Sequence, residues 1–210
     1  ETSNSIINVS DFGEYYALLI GINEYEYLDN LDTPVNDVTE IEKILSQKYN
    51  FKEIIKLINE EATRANLNIK LKELRNKLTE KDNLLVYYSG HGQRDEDTNQ
   101  AFWQLYDAEY NAEWTWADLD GSLSSHLRAM KAGHVLVVVD SCFSGKLFKQ
   151  RSSEKLPVDK EYKTILQDYN KFNSRLGLTA SDATKPIPDG GAGGKHSIFS
   201  KAFIDILNNN

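Results

Sequence analysis

Cysteine is nearly absent from this sequence: among 210 residues there is one, Cys142. An internal disulfide is therefore excluded, and a reduced compartment, the cytosol, is the expected location. Long apolar runs are missing too. None approaches the ~20 residues that span a bilayer, so no membrane partner is expected. Basic residues are in deficit, with 24 Lys and Arg against 32 Asp and Glu and a net charge of −8. That balance argues against a nucleic-acid partner, which needs a positive footprint. The four histidines include no pair at metal-ligand spacing. No secretory signal is visible. Glu1 is not a native start, so the chain is expected to be a fragment of a longer protein. Additional domains or a regulatory partner would then lie outside it.

What is present is an ordinary globular composition, 40% hydrophobic and 27% charged, with room for one sizeable core. Residues 1–13 read as a flexible lead-in and 14–210 as one domain. Apolar runs suited to buried strands cover Tyr15–Ile20, Ile54–Ile58, Leu84–Tyr88, Val135–Val139 and Leu176–Ala180. Helical spacing follows Pro34, whose place suits a first turn, and again after Thr63, which reads as an N-cap. A further helix is expected over Trp116–Lys131, a peripheral hairpin over Ala101–Asp107, and a last helix capped by Ser197. The alternation predicts an α/β three-layer sandwich: a mainly parallel central sheet with helices on both faces. The segment 146–173 is polar and highly charged and reads as a mobile linker.

Two of these strands end in small polar clusters. Leu84–Tyr88 runs into Ser89-Gly90-His91-Gly92, and His134–Val139 into Asp140-Ser141-Cys142-Phe143-Ser144-Gly145. Parallel neighbouring strands would deliver His91 and Cys142 to one sheet edge, where ligands bind in open α/β sheets. A thiol is a weak nucleophile until an imidazole favours the thiolate. The backbone N–H groups of Gly92 and Cys142 could serve as an oxyanion hole.

At these residues the chain resembles the caspase-like cysteine peptidases. His91 precedes Cys142 by 51 positions, near the spacing typical of caspases. Asp140, two before the cysteine, is similar to the metacaspase, paracaspase and bacterial orthocaspase branch. The Gln-Ala-Cys signature of true caspases is lacking. The likeness runs from about Tyr15 to Leu207. It implies a cysteine endopeptidase with a Cys-His dyad, acting on a protein or peptide substrate, and a sixth strand after the last helix, where this sequence instead stops at Asn208-Asn209-Asn210. In that branch the carboxylate before the cysteine and the acid of a Pro-x-x-Asp-Val pattern line a pocket for the residue before the scissile bond. Here these are Asp140 and Asp37, with Asp182 as a third member. Acids converging on one pocket suit Arg or Lys. The resemblance also implies self-processing within the linker.

No cofactor is required by this chemistry. Calcium-dependent relatives use an aspartate cluster, and Asp107, Asp118 and Asp120 lie roughly where part of it would fall. Lys149 stands where another acid is expected, so a solvated acidic face is the default reading. His126 and His134 read as structural and His196 as solvated. Trp103, Trp114 and Trp116 read as packing residues. The rival readings are a caspase-like peptidase of other specificity and a non-catalytic adaptor that keeps the fold.

Overall fold

The computed structural model describes residues 13–95, 97–98, 100–142, 174–180 and 194–209. The linker 146–173 and Asp182 lie outside the described residues. Five strands, β1 (Tyr15–Gly21), β2 (Glu53–Ile58), β3 (Asn83–Ser89), β7 (His134–Asp140) and β8 (Ser174–Thr179), form one sheet in the order β2-β1-β3-β7-β8. Every pairing in it is parallel. A second, antiparallel sheet joins β4 (Gly92–Arg94), β5 (Ala101–Trp103) and β6 (Ala117–Asp118).

The strands of the main sheet are apolar on both faces, and each face buries its own set. On one face Leu18, Ile20, Val86, Tyr88, Val137 and Val139 meet Leu67, Leu71 and Leu74 of α2 (Arg64–Lys77) and Leu127 of α3 (Ser124–Arg128). On the other, Ala17, Leu19, Leu85, Tyr87 and Val138 meet Val38, Ile41 and Leu45 of α1 (Pro34–Lys48) and Phe203 and Ile204 of α4 (Ile198–Asn208). At about 1.5–3 kcal/mol per large buried side chain, these layers outweigh the exposed Lys–Glu pairs, worth about 0–1 kcal/mol each. Helix starts follow the expected caps. Thr63 Oγ1 accepts from Asn66 N–H at 3.1 Å and Ser197 Oγ from Ser200 N–H at 2.9 Å.

Three expectations need correction. The continuous helix over Trp116–Lys131 is instead β6, a π-turn over Leu119–Leu123 and the single-turn α3. Asp118 causes the break: its carboxylate accepts the N–H groups of Asp120 and Gly121, both at 2.9 Å, and starts the chain turning there. The hairpin expected from Ala101 forms by antiparallel pairing of β5 with the preceding β4, but it is not peripheral. Trp103 is fully buried in the main core and stacks on Tyr88, with ring centroids 4.3 Å apart. Trp114, read as packing, is 74% exposed.

The edge strand β8 is held by a polar anchor. The Arg175 guanidinium donates to the carbonyls of Leu127, Met130, Ala132, Gly133 and Ser174 at 2.7–3.2 Å. It ties the strand to the turn that leads into β7.

Candidate active site

The register of β3 and β7 fixes the site. Ser89 lies opposite Asp140, and neighbouring strands run about 4.8 Å apart. His91 and Cys142 each follow two residues on, so both leave the carboxyl edge side by side. The two exits touch. Gly90 N–H donates to the Asp140 carbonyl at 3.3 Å. A Cβ at Gly92 would collide with the Cys142 carbonyl oxygen and come within 2.8 Å of Ser141 Oγ, so only glycine fits there.

His91 is gripped along its backbone. Its N–H donates to the Tyr25 hydroxyl at 2.8 Å. Its carbonyl accepts from the Tyr88 hydroxyl at 2.6 Å and from Gln104 N–H at 3.0 Å. The imidazole sits 4.8 Å from the Tyr25 ring, and Nε2 lies 2.9 Å from the Asp29 carbonyl. A carbonyl only accepts, so the ring carries its proton on Nε2 and keeps the Nδ1 lone pair for another partner. Cys142 is partly buried. It is close enough for its charge to help raise the Tyr88 phenol, whose upward shift comes first from burial and next from Tyr25.

A buried polar cluster adjoins this edge. Gly21 ends β1 in close contact with α1, since a Cβ there would lie 2.7 Å from Val38 Cγ2 and 2.8 Å from the Pro34 carbonyl oxygen. That approach seats Asp37, in the first turn of α1, inside the molecule at 0% exposure. Asp140 is 7% exposed. Its Oδ2 accepts from the hydroxyls of Ser197 and Ser200 at the start of α4. Ser200 gives that proton away, so its oxygen accepts from Tyr87, 2.5 Å distant. Asp37 Oδ1 is hydrogen-bonded to His196 Nδ1 at 2.6 Å. Asp37 Oδ2 is buried with no hydrogen-bond partner among the described residues.

Burial pushes the Asp37 carboxyl up to about 7 and the Asp140 charge acts in the same direction, while the His196 hydrogen bond and charge oppose them. A carboxyl held above its unfolded value favours the protonated native state. Its contribution to stability is complete below about pH 4 and is lost as pH rises toward 7. Asp37→Asn is therefore expected to gain stability relative to wild type as pH rises from 4 to 8, measured by urea unfolding. A constant difference across that range would show that Asp37 does not titrate this way.

Of the residues singled out in sequence, the structure brings Gly92, His91 and Cys142 to one edge and draws Asp37 and Asp140 into one cluster. Asp107, Asp118 and Asp120 do not join them. Asp107 Oδ1 accepts from Arg64 N–H at 3.0 Å, and Asp118 caps the π-turn. Among the described residues no group of three or more His, Cys, Asp or Glu could hold a metal ion. His134 Nδ1 meets Ser174 Oγ at 2.8 Å between β7 and β8. His196 is the correction: read as solvated, its side chain is only 19% exposed and is bonded to Asp37. Sequence reading also passed over Tyr25, Tyr87 and Ser200. The one visible signal was the place of His196 directly before the Ser197 cap, which gives no hint of a partner 159 residues away.

Residues 16–151 match the family described as metacaspase, peptidase C14 domain. The chain is 28% identical to Metacaspase-1 of Plasmodium falciparum (isolate 3D7) over 99% of its own length and 36% of that protein's. It thus spans about a third of the length of this curated relative. A solved structure of a Geobacter sulfurreducens protein matches with a TM-score of 0.66 at 20% identity, over 93% of this chain and 82% of that one. That likeness concerns the fold. Among the described residues no helix is long and apolar enough to cross a membrane.

Proposed function

The chain belongs to the metacaspase family of peptidase C14 domains, and on that premise we propose that it is a cysteine endopeptidase cutting after Arg or Lys. Cys142 attacks the scissile carbonyl. His91 takes the thiol proton through Nδ1 and returns it to the leaving amine. The N–H groups of Gly92 and Cys142 hold the oxyanion. Asp37 and Asp140 receive the basic side chain of the residue before the cut. The observation that carries this reading is the β3–β7 register, which sets the two loops in contact, with the ring of His91 held by the Asp29 carbonyl and its Nδ1 unspent among the described residues. The test is labelling by a peptide electrophile with Arg at its reactive end. Mass spectrometry is expected to find one adduct, on Cys142. An unlabelled protein would favour the non-catalytic adaptor.

The reaction draws on protein groups alone, and activity is expected to be indifferent to calcium. The motivation is that Asp107 and Asp118 spend their carboxylates on backbone N–H groups. Initial rates with and without a calcium chelator should agree within about twofold, small against the tenfold that 1.4 kcal/mol would produce. A large loss restored by calcium would make Asp107, Asp118 and Asp120 ligand candidates.

Self-cleavage within 146–163 belongs to the same proposal. Lys149, Arg151 and Lys155 offer suitable bonds at high effective concentration. Ageing should yield a second mass in the active protein and leave the Cys142→Ala protein intact. The same nick in both would assign it to another protease.

A further inference from the structure

We propose that His196 is a built-in stopper of the acid pocket, holding the Asp37 carboxylate until the basic side chain of a substrate displaces it. This rests on the reading of Asp37 and Asp140 as the receptor for Arg or Lys, and it names what guards that receptor.

The geometry has three parts. First, the pocket's deepest acid is already in use. Asp37 is fully buried, and His196 Nδ1 reaches its Oδ1 at 2.6 Å. The imidazole meets Asp37 of α1; Asp140 of β7 and Tyr87 of β3 interact with Asp37 in the same cluster, and Lys195 precedes His196 in the chain. Second, the use is incomplete. Buried carboxylate oxygens nearly always find a donor, yet Asp37 Oδ2 has none among the described residues. An imidazole presents one donor from Nδ1, whereas a guanidinium presents a fork that serves both oxygens of one carboxylate. An incoming arginine can therefore replace one bond with two. Third, the ring is placed to leave. Its side chain is 19% exposed against 0% for Asp37, so it lies on the outer side of the carboxylate. The next residue, Ser197, has its hydroxyl held by Asp140 and by the Ser200 N–H, and its own backbone N–H acts on the Asp37 carboxylate. The imidazole can thus swing away while α4 stays capped. Before it, Gly194 adopts φ +75°, a left-handed conformation natural to glycine.

Opening the pocket then costs the His196–Asp37 contact, and every basic ligand bears that cost. Removing the imidazole should tighten the pocket; a merely structural histidine would loosen it when removed. The experiment uses the 210-residue chain carrying Cys142→Ala, so that nothing turns over, and Nα-acetyl-arginine N-methylamide as probe. It is run at pH 8.5, above the region where Asp37 takes up its proton. Isothermal titration is expected to show binding that strengthens roughly tenfold on adding His196→Ala, the scale of coupling between two ligands competing for one site. His196→Gln, which keeps a donor but in a poorer position, should strengthen it less. In the parent protein, saturation with the probe should shift the His196 ring resonances. Equal or weaker binding by both His196 variants, at an unchanged melting temperature, would overturn the stopper and leave the basic pocket standing. If His196→Ala does not fold, His196→Gln alone decides by the same criterion. Absence of binding by every protein would overturn the basic pocket itself, and the stopper with it.

Discussion

Cys142→Ala is expected to remove peptide hydrolysis, lowering kcat by roughly 10⁴-fold or more while the protein stays folded, because a nucleophile and its base act as a unit. The chain offers no second thiol to take over. The change removes one sulfur atom from a partly buried position at a loop, outside both core layers, so stability should hardly move. His91→Ala should cost nearly as much activity. Its structural effect should also be small, because Tyr25, Tyr88 and Gln104 grip the backbone of residue 91, and loss of the ring forfeits only its contacts with the Tyr25 ring and the Asp29 carbonyl. Rates and melting temperatures of both variants check this. Undiminished hydrolysis by the alanine protein would remove the peptidase assignment.

The second large effect is expected at the acid cluster. Asp37→Ala and Asp140→Ala should each reduce kcat/KM for an Arg peptide by about 10- to 100-fold, as when one partner of a desolvated charge pair is lost. Peptides with an uncharged residue before the cut should lose much less. The two variants should differ in stability. Asp140 accepts from Ser197 and Ser200, so its loss leaves buried hydroxyls without their acceptor and should cost about 1–3 kcal/mol. Asp37 is a strained resident whose carboxyl is already pushed up by burial, and its loss removes an unfavourable ionisation together with a hydrogen bond. A uniform loss on all peptides would point to disturbed folding instead of a charge pocket.

Much of this architecture could be read from the residues themselves, because the cues are local. Unbroken apolar runs ending in small polar residues marked β1, β3 and β7, and Thr63 and Ser197 marked helix starts by their hydroxyls. Parallel pairing then followed from the helices between the strands, and with it the common edge of His91 and Cys142. Where a side-chain hydrogen bond or a tertiary contact overrides the periodicity, the sequence was silent. The leucine spacing after Trp116 is helical, yet Asp118 spends its carboxylate on the backbone and holds the chain in a π-turn. Trp103 sits in a charged neighbourhood of the sequence but is fully buried against Tyr88. His196 meets Asp37 only because α1 and α4 cover the same face of the sheet. No periodicity encodes that contact. The same holds for the Asp29 carbonyl, since any residue type could have supplied it.

The central claim, a thiol peptidase selecting basic residues, is tested most directly with a fluorogenic peptide series differing only in the residue before the scissile bond. Arg, Lys, Asp and Leu peptides would be compared with wild-type protein and with Cys142→Ala. The account predicts that the Arg and Lys peptides are cut fastest by the wild type and that every signal vanishes in the variant. Faster cleavage of the Asp or Leu peptide, or equal rates from the two proteins, would contradict it.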